Sequence, residues 1–245
     1  MDVVIVTGAA GGIGSVYVEA LAKAGYGVVA ADLQPPEQLV AQIKADGGTA
    51  IAIAVDVSDR ASTEAMAARV EEAFGRIDCL VNNAAYYSAI VKKDFTELTD
   101  QEWDRCFAVN VRGAWLCARA VISAMKRQGR GKIVNIASMT VPTAPPGFAH
   151  YIASKAAIVG LTRALARELG VDRICVNTLS PDYIAFDRDY DNRQPEMRQM
   201  LTAQRCIRRD ETADDLVGTL LYLLGPGSDF VTGQDIWVNG GRVFG

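Results

Sequence analysis

The sequence predicts a single α/β domain built on a doubly wound, seven-stranded parallel sheet flanked by helices. Short apolar runs rich in β-branched residues alternate with helical patterns along the whole chain. The first of these runs is followed at once by a glycine-rich turn and then by a helical pattern. The chain has 245 residues, 50% of them hydrophobic, and no linker or repeat divides it. One domain over residues 1–245 is therefore predicted.

Each predicted strand is a short apolar run, and each predicted helix shows an apolar face. The strands are predicted over residues 3–7, 27–31, 49–55, 79–81, 132–137, 174–179 and 235–238. A first helix extends from the glycine turn to Gly25, a residue suited to a helix C-terminus. Further helices are predicted over residues 59–74, 100–126, 151–169 and 212–223. A parallel sheet of this kind binds ligands at the carboxyl ends of its strands, where the strand order reverses.

The glycine-rich turn after the first strand predicts a phosphate-binding corner. It runs from Gly8 to Gly14 and includes Gly12 and Ile13. Glycines at such a turn let backbone N–H groups approach a pyrophosphate that lies at the positive end of the following helix. A glycine-rich turn by itself is a weak signal, because glycines also serve ordinary tight turns.

Asp32 at the end of the second predicted strand adds a second cofactor signal. An acidic residue at this place hydrogen-bonds a ribose diol and repels a 2′-phosphate. No arginine or lysine follows Asp32 closely, and none lies in the glycine turn. The pattern favours NAD over NADP. The alternative is a surface aspartate after a strand.

Three polar side chains point to proton transfer. Tyr151 and Lys155 are four residues apart, so in a helix they lie on one face, and Ser138 ends the apolar run 132–137. A nearby cation favours a phenolate and lowers the pKa of the phenol toward the working range. A hydroxyl beside this pair could hold a carbonyl or alcohol oxygen. Taken alone, the pair could also be a chance pattern on a solvated helix surface.

The order and spacing of these motifs resemble the short-chain dehydrogenase/reductase family over nearly the whole chain. The turn has the spacing Thr7-Gly8-x-x-x-Gly12-x-Gly14, which differs from G-x-G-x-x-G. The resemblance implies a Rossmann-like fold and NAD-dependent oxidation of a secondary alcohol. Further matching positions are Asp56-Val57, Asn82-Asn83-Ala84, Asn110, Ser138, Tyr151, Lys155, Asn177, Pro181, Thr232-Gly233-Gln234 and Gly240-Gly241.

The resemblance also implies a role for each matching residue. Tyr151 is the acid/base, Lys155 lowers the pKa of Tyr151 and contacts the nicotinamide ribose, and Ser138 holds the substrate oxygen. Asn110 belongs to a water-mediated proton relay behind Lys155, although an asparagine inside a helical run also bends or caps helices. The remaining expected cofactor contacts are Asp56 and Val57 at the adenine, Asn83 and Ala84 along the groove, and Pro181 and Ile184 near the nicotinamide.

The chain departs from the family pattern after the sixth strand. Asp182 follows Pro181 where glycine is usual, and Phe186 stands where a threonine usually helps to bind the nicotinamide amide. A substrate loop or lid is expected over about residues 182–210. The expected substrate-pocket residues are Tyr86, Thr140, Phe148, Tyr183, Phe186 and Met197. They indicate an apolar, partly aromatic pocket of moderate size, although aromatic side chains near loops also close a core.

The expected substrate is a small apolar, aryl or cyclic secondary alcohol or the corresponding ketone. A 3-oxoacyl thioester reductase and a sugar or polyol dehydrogenase of the same family are the alternatives. The reductase would usually require NADPH, which Asp32 opposes. A dinucleotide-binding regulator without catalysis is a further alternative, against which the set Asn110, Ser138, Tyr151 and Lys155 argues.

The bulk composition predicts a cytoplasmic protein without nucleic acid or membrane partners. The formal charge is −4, with no extended basic cluster or membrane-length apolar stretch. Five widely spaced cysteines and a single histidine support neither a disulfide framework nor a metal site. A homotetramer is expected because these enzymes usually pair the helices predicted here over 100–126 and 151–169. These helices also have more apolar positions than packing against one sheet requires, which favours pairing between subunits. The alternative is that these positions are buried deep in the core of a monomer. These positions are Ala118, Val121, Ile122, Met125, Ala157, Val159, Leu161 and Leu165.

Overall fold

A computed structural model describes residues 1–184 and 195–245 of the chain. Seven parallel strands form one sheet in the order β3-β2-β1-β4-β5-β6-β7. This arrangement confirms the predicted doubly wound α/β fold. The strands β1 to β7 are Val3–Thr7, Gly27–Asp32, Thr49–Ala54, Cys79–Asn82, Gly131–Ile136, Ile174–Pro181 and Asp235–Val238.

The helices lie between these strands and differ from the prediction in four places. The helix predicted over 100–126 is interrupted by a π-helical segment, Ala108–Arg112. Three further helices were not predicted: α2 (Glu37–Ala45), α6 (Thr140–Thr143) and α8 (Pro195–Gln204). No helix of the described residues is long and apolar enough to cross a membrane. The helices α1 to α9 are Ile13–Lys23, Glu37–Ala45, Arg60–Phe74, Asp100–Phe107, Gly113–Gln128, Thr140–Thr143, Ala149–Leu169, Pro195–Gln204 and Asp214–Leu224.

The sheet is buried on both faces, as a parallel sheet requires. Alternate residues of one strand point to opposite faces, so Ile5 of β1 lies in one apolar layer and its neighbours Val4 and Val6 lie in the other. Side chains from α3, α5 and α7 complete the first layer, and side chains from α1, α2 and α9 complete the second. The two layers hold the sheet rigidly between helices.

Three of the apolar positions expected to pair subunits are instead core residues. Ala118, Val121 and Met125 of α5 are buried within one chain, against the sheet. Because these side chains already fill the monomer core, they are not surplus. Partial exposure remains at Ile122 of α5 and at positions of α7 such as Val159, Leu161 and Leu165.

The strand order reverses between β1 and β4, which are neighbours in the sheet although they are distant in sequence. The chain leaves β1 and β4 in opposite directions, and a crevice opens at their carboxyl ends. Gly8 follows β1, Asp32 ends β2, Asn83 follows β4 and Ser138 lies just beyond β5. The fold therefore brings the predicted site residues to one edge of the sheet.

Candidate active site

The glycine turn after β1 forms a close-packed cradle at the start of α1. Gly8 has a φ of +67°, and a Cβ on Gly8 would lie 2.7 Å from the Cα of Ala84. A Cβ on Gly14 would lie 2.1 Å from the carbonyl oxygen of Gly8. Gly12, which precedes α1, supplies no side-chain cap, so the first N–H groups of the helix lack such a partner. This cradle fits the pyrophosphate of a dinucleotide.

Asn83 braces the glycine turn from the end of β4. Its Nδ2 donates hydrogen bonds to the carbonyl oxygens of Thr7 and Gly8, each at 3.0 Å. The backbone N–H groups of Asn83 and Ala84 donate to the Thr7 hydroxyl, each at 3.1 Å. Asn83 thus holds the turn in shape through its side chain, while Ala84 lies against Gly8 and lines the groove.

Asp32 lies across the turn from Asn83. Its carboxylate accepts hydrogen bonds from the backbone N–H groups of Ala10, at 2.9 Å, and Gln34, at 3.2 Å. No salt bridge engages Asp32 anywhere in residues 1–184 and 195–245. The carboxylate is therefore oriented by backbone groups and retains lone pairs for the two hydroxyls of a ribose.

Asp56 and Val57 follow β3, beside the cradle. The exposed carboxylate of Asp56 accepts hydrogen bonds from the N–H, at 2.9 Å, and the hydroxyl, at 2.6 Å, of Ser58. Val57 is buried and packs against α5 at Gly113, where a Cβ would lie 2.8 Å from Val57 Cγ2. This corner offers a polar rim and an apolar floor, which suit an adenine ring.

Tyr151 and Ser138 meet at the carboxyl edge of the sheet. Tyr151 lies in the first turn of α7 and hydrogen-bonds Ser138, which follows β5. The backbone N–H and the hydroxyl of Thr140 both contact Ser138 Oγ, at 3.1 Å and 3.0 Å. Thr140, a predicted pocket residue, therefore fixes the serine oxygen beside the phenol.

Lys155 lies one helical turn after Tyr151, as the spacing predicts. Its Nζ is 5.7 Å from the centroid of the Tyr151 ring and donates a hydrogen bond to the carbonyl oxygen of Ile136 at 2.7 Å. Both side chains are buried. The carbonyl group at the end of β5 thus holds the lysine ammonium next to the ring of Tyr151.

Burial dominates the protonation of this pair. It raises the pKa of the Tyr151 phenol, with a further increase from Tyr87 and a decrease from the hydrogen bond with Ser138. Burial also lowers the pKa of the Lys155 ammonium to about 8. The direction for Tyr151 is opposite to the one expected from the sequence, because the lost hydration of the phenolate outweighs the attraction of a cation.

Asn110 lies inside the π-helical segment, with its side chain turned toward α7. Its Oδ1 accepts a hydrogen bond from the backbone N–H of Tyr86 at 2.6 Å, and its Nδ2 donates to Ser154 Oγ at 2.9 Å. Ser154 in turn donates to the carbonyl oxygen of Tyr151 at 2.7 Å. π-bulges commonly occur at functional sites. Ser154 thus connects Asn110 to the backbone of Tyr151.

A narrow cleft with a volume of about 10 Å³ lies between Asn110 and Lys155. Thr7, Val57 and Ala84 of the cofactor corner also line it. Both polar and apolar groups face this space, so a water molecule in it would find hydrogen-bonding partners. A volume of this size holds about one water molecule, so the relay expected from the sequence stays a prediction.

Asp182, the departure from the family pattern, is held in a buried ionic cluster. Its carboxylate accepts hydrogen bonds from Arg205 Nη2 at 3.0 Å and from Arg242 Nη1 at 2.7 Å. Its backbone N–H donates to Glu211 at 3.3 Å, and burial, followed by the charge of Asp182, raises the pKa of Glu211 to about 8. Arg205 also donates to the carbonyl oxygen of Tyr183 at 2.9 Å. The cluster fixes the segment after β6, which a glycine would leave freer.

The same segment continues into Ile184, which is buried and pairs with Glu211 in a short parallel bridge. Pro181 ends β6 and is also buried. Ile184 and Pro181 therefore lie at the carboxyl edge of the sheet, as expected for residues near a nicotinamide. Phe186 lies outside the described residues.

Two other predicted pocket residues, Tyr86 and Phe148, belong to an aromatic wall around Tyr151. Phe148 and Tyr86 pack in one cluster with Tyr151, and Met197 of α8 lies beside Lys92. Tyr87, half-exposed next to them, has its ring centroid 5.1 Å from that of Tyr151. Sequence reasoning missed Lys92, whose position depends on loop packing.

Comparison with known proteins shows similarity over nearly the whole chain. A family model described as enoyl-(acyl carrier protein) reductase matches residues 8–242. The 3-oxoacyl-[acyl-carrier-protein] reductase FabG of Staphylococcus aureus is 35% identical, covering 97% of this chain and 96% of the relative. The (2S)-[(R)-hydroxy(phenyl)methyl]succinyl-CoA dehydrogenase subunit BbsD of Thauera aromatica is also 35% identical, with coverages of 98% and 96%.

A solved structure of a candidate NAD(P)-dependent gluconate 5-dehydrogenase from Beutenbergia cavernae has the same fold. It is 34% identical and superposes with a TM-score of 0.90 over 98% of this chain and 96% of that one. NADP is bound in that structure at low occupancy. A protein with the same fold as this chain therefore binds a dinucleotide.

Proposed function

Because this chain belongs to the short-chain dehydrogenase/reductase family of oxidoreductases, we propose that it interconverts a secondary alcohol and a ketone with NAD as cofactor. The observation that carries the proposal is the convergence of Ser138, Tyr151 and Lys155 beside a glycine cradle with a carboxylate at its far end. The aromatic wall supports an apolar, aryl or cyclic substituent on the alcohol.

In the oxidative direction, the chain's own residues bind the alcohol and remove its proton. Ser138, fixed by Thr140, hydrogen-bonds the substrate oxygen. Tyr151 takes the hydroxyl proton in its deprotonated form, which burial in the free site disfavours. When bound, the nicotinamide supplies the acceptor for the hydride that leaves the carbinol carbon. Lys155, held by Ile136, stabilises the phenolate by its charge and offers a donor to the ribose. Asn110 holds the polar side of the cleft through which the proton leaves.

A 3-oxoacyl thioester reductase is the second candidate. The similarity to the FabG reductase favours it, whereas Asp32 opposes the NADPH that such a reductase usually requires. A sugar or polyol dehydrogenase is favoured by the candidate gluconate 5-dehydrogenase, but the aromatic wall offers a sugar few hydrogen-bond partners. The BbsD relative, whose name includes a hydroxy(phenyl)methyl group, supports an aryl alcohol.

A screen of NADH formation distinguishes these candidates. The purified protein is given NAD with aryl and cyclic secondary alcohols, polyols and 3-hydroxyacyl thioesters in parallel. We expect the highest kcat/KM with the aryl or cyclic alcohols. Highest activity with a thioester, or with a polyol, would replace the proposed substrate by that class.

Replacing Asp32 should narrow the preference for NAD over NADP. Asp32→Asn keeps an oxygen to accept from Ala10 but removes the negative charge that binds the diol and repels a 2′-phosphate. A hydrogen bond to a charged group contributes about 1.5–3 kcal/mol, so the ratio of kcat/KM for NAD and NADP should fall roughly tenfold or more. Glu37→Gln, an equal loss of charge on the exposed start of α2, is the control. An unchanged ratio in Asp32→Asn would mean that Asp32 does not contact the ribose.

We also propose that the protein is a homotetramer in which α5 and α7 pair between subunits. Trp115 of α5 is 38% exposed, and apolar positions on the outer side of α7 remain half-buried in one chain. Covering these side chains would remove apolar surface from water. Light scattering after gel filtration should return four times the 26.3 kDa of the chain. A monomer mass would rule the pairing out.

A further inference from the structure

An aromatic wall with a cation at its rim borders the reacting groups. The rings of Tyr87 and Phe148 are stacked, with centroids 6.4 Å apart and planes inclined by 14°. Both rings also lie against Tyr151, with centroids 5.1 Å and 6.2 Å from its ring. A planar apolar group next to the reacting carbon would therefore contact ring faces on this side of the site.

Two consecutive lysines, Lys92 and Lys93, lie in the segment between β4 and α4, and within the described residues only Lys93 forms a salt bridge. Lys93 Nζ forms a salt bridge with Glu102 at 2.6 Å, and Glu102 also caps α4 through Thr99. Lys92 Nζ lies 5.1 Å from the centroid of the Phe148 ring and 4.0 Å from Met197 Sδ. No carboxylate of the described residues pairs with Lys92. Within residues 1–184 and 195–245, the Lys92 ammonium at the rim thus has no anionic partner.

The loop before α7 holds Lys92 in this place. Gly147 has a φ of +85°, and a Cβ there would lie 3.1 Å from the Cβ of Lys92 and 3.4 Å from the backbone N of Lys93. Because the backbone of Gly147 approaches the stem of Lys92 so closely, the lysine is brought beside Phe148, the next residue. Met197 of α8 approaches the same ammonium from another element.

From this juxtaposition we infer that Lys92 binds a carboxylate on the substrate, so that the preferred alcohol carries an aryl group and a carboxylate beyond it. The inference rests on the proposed function and adds the anionic group to the substrate class. The aryl group would lie along Tyr87 and Phe148, with its carboxylate directed to Lys92 and its carbinol to Ser138 and Tyr151. Lys92 is exposed, so its ammonium would attract the carboxylate with the modest strength of a surface charge.

The test compares methyl phenyl carbinol with its para-carboxylate, using NAD and the full chain. We expect the wild-type protein to favour the carboxylate about fivefold in kcat/KM, mainly through KM, since exposed ion pairs contribute modestly. Lys92→Gln should bring this ratio close to one, and Lys92→Glu should invert it. Lys93→Gln, which removes the neighbouring charge paired with Glu102, is the matched control and should keep the ratio. Added salt should reduce the wild-type ratio and leave that of Lys92→Gln unchanged.

The comparison separates failure of the carboxylate site from failure of the proposed aryl alcohol substrate. A wild-type ratio of one, or a preference that persists in Lys92→Gln, would overturn the carboxylate site while leaving the alcohol dehydrogenase intact. Loss of the preference in Lys93→Gln would assign it to the general charge of the loop and would equally overturn the role of Lys92. No oxidation of either alcohol would instead contradict the proposed aryl substrate, and the carboxylate site with it.

Discussion

Tyr151→Phe should lose nearly all turnover while keeping its affinity for NAD. The substitution removes only the hydroxyl that exchanges the substrate proton, and the ring keeps its contacts with Tyr87 and Phe148. Because positioned acid/base groups contribute roughly 10²- to 10⁴-fold, kcat should fall by about 10³-fold. NADH formation measures turnover, and quenching of tryptophan fluorescence measures NAD binding. The dissociation constant for NAD should change by less than about threefold, a fraction of a kcal/mol.

A surface tyrosine provides the matched control for this variant. Tyr222→Phe removes the same hydroxyl from α9, where the side chain is 47% exposed. It should retain wild-type kcat. If Tyr151→Phe kept more than a tenth of the wild-type kcat, Tyr151 could not be the acid/base. If it lost NAD binding as well, the loss of turnover would reflect a damaged cofactor site.

Lys155→Met should abolish turnover and also stabilise the fold at neutral pH. Burial lowers the pKa of Lys155 from 10.5 to about 8, so at pH 7 the folded protein carries a charge that its surroundings disfavour. A shift of this size corresponds to roughly 3 kcal/mol at most, and the hydrogen bond lost at Ile136 offsets about 1 kcal/mol. The net gain in the free energy of unfolding should be on the order of 1–2 kcal/mol, measured by urea denaturation.

The stabilisation expected for Lys155→Met depends on pH. Between about pH 8 and pH 10.5 the unfolded chain binds the proton of Lys155 and the folded chain does not. The contribution of Lys155 to stability therefore rises with pH across this window, and the cost is fully present below pH 8. The advantage of Lys155→Met should accordingly be largest at pH 7 and shrink toward pH 10. Lys44→Met, an exposed control on α2, should differ from wild type by less than about 0.5 kcal/mol at either pH.

A less stable Lys155→Met at pH 7 would contradict this prediction. It would mean that the hydrogen bond to Ile136 outweighs the desolvation of the ammonium. Retained turnover in the same variant would separately remove Lys155 from the proposed mechanism. Stability and activity therefore test two different statements about one side chain.

The fold could be predicted because its signals are local. Runs such as Val3–Thr7 are buried on both faces, and a buried parallel strand requires continuous apolar sequence. The glycine turn and Asp32 follow such runs directly, so the position of each strand end also determines the position of these residues. The convergence of Tyr151 with Ser138 required only that β5 and α7 be adjacent.

The pKa values and the backbone conformation of the site depend on contacts between residues that are distant in sequence. The π-helical segment at Asn110 is supported by Ser154 on α7 and by the backbone of Tyr86. The raised pKa of Tyr151 follows from a degree of burial that a spacing of four residues does not reveal. Likewise, the two arginines that hold Asp182, Arg205 and Arg242, are remote in sequence and carry no local pattern.

Transfer of deuterium tests the proposed reaction most directly. The wild-type protein and Tyr151→Phe are incubated with NAD and an aryl secondary alcohol that carries deuterium at the carbinol carbon. Mass spectrometry then measures the label in the NADH that forms. We predict one deuterium per NADH with the wild-type protein and almost no labelled NADH with Tyr151→Phe. Unlabelled NADH from the wild-type protein would contradict direct hydride transfer. Equal amounts of labelled NADH from both proteins would contradict its dependence on Tyr151.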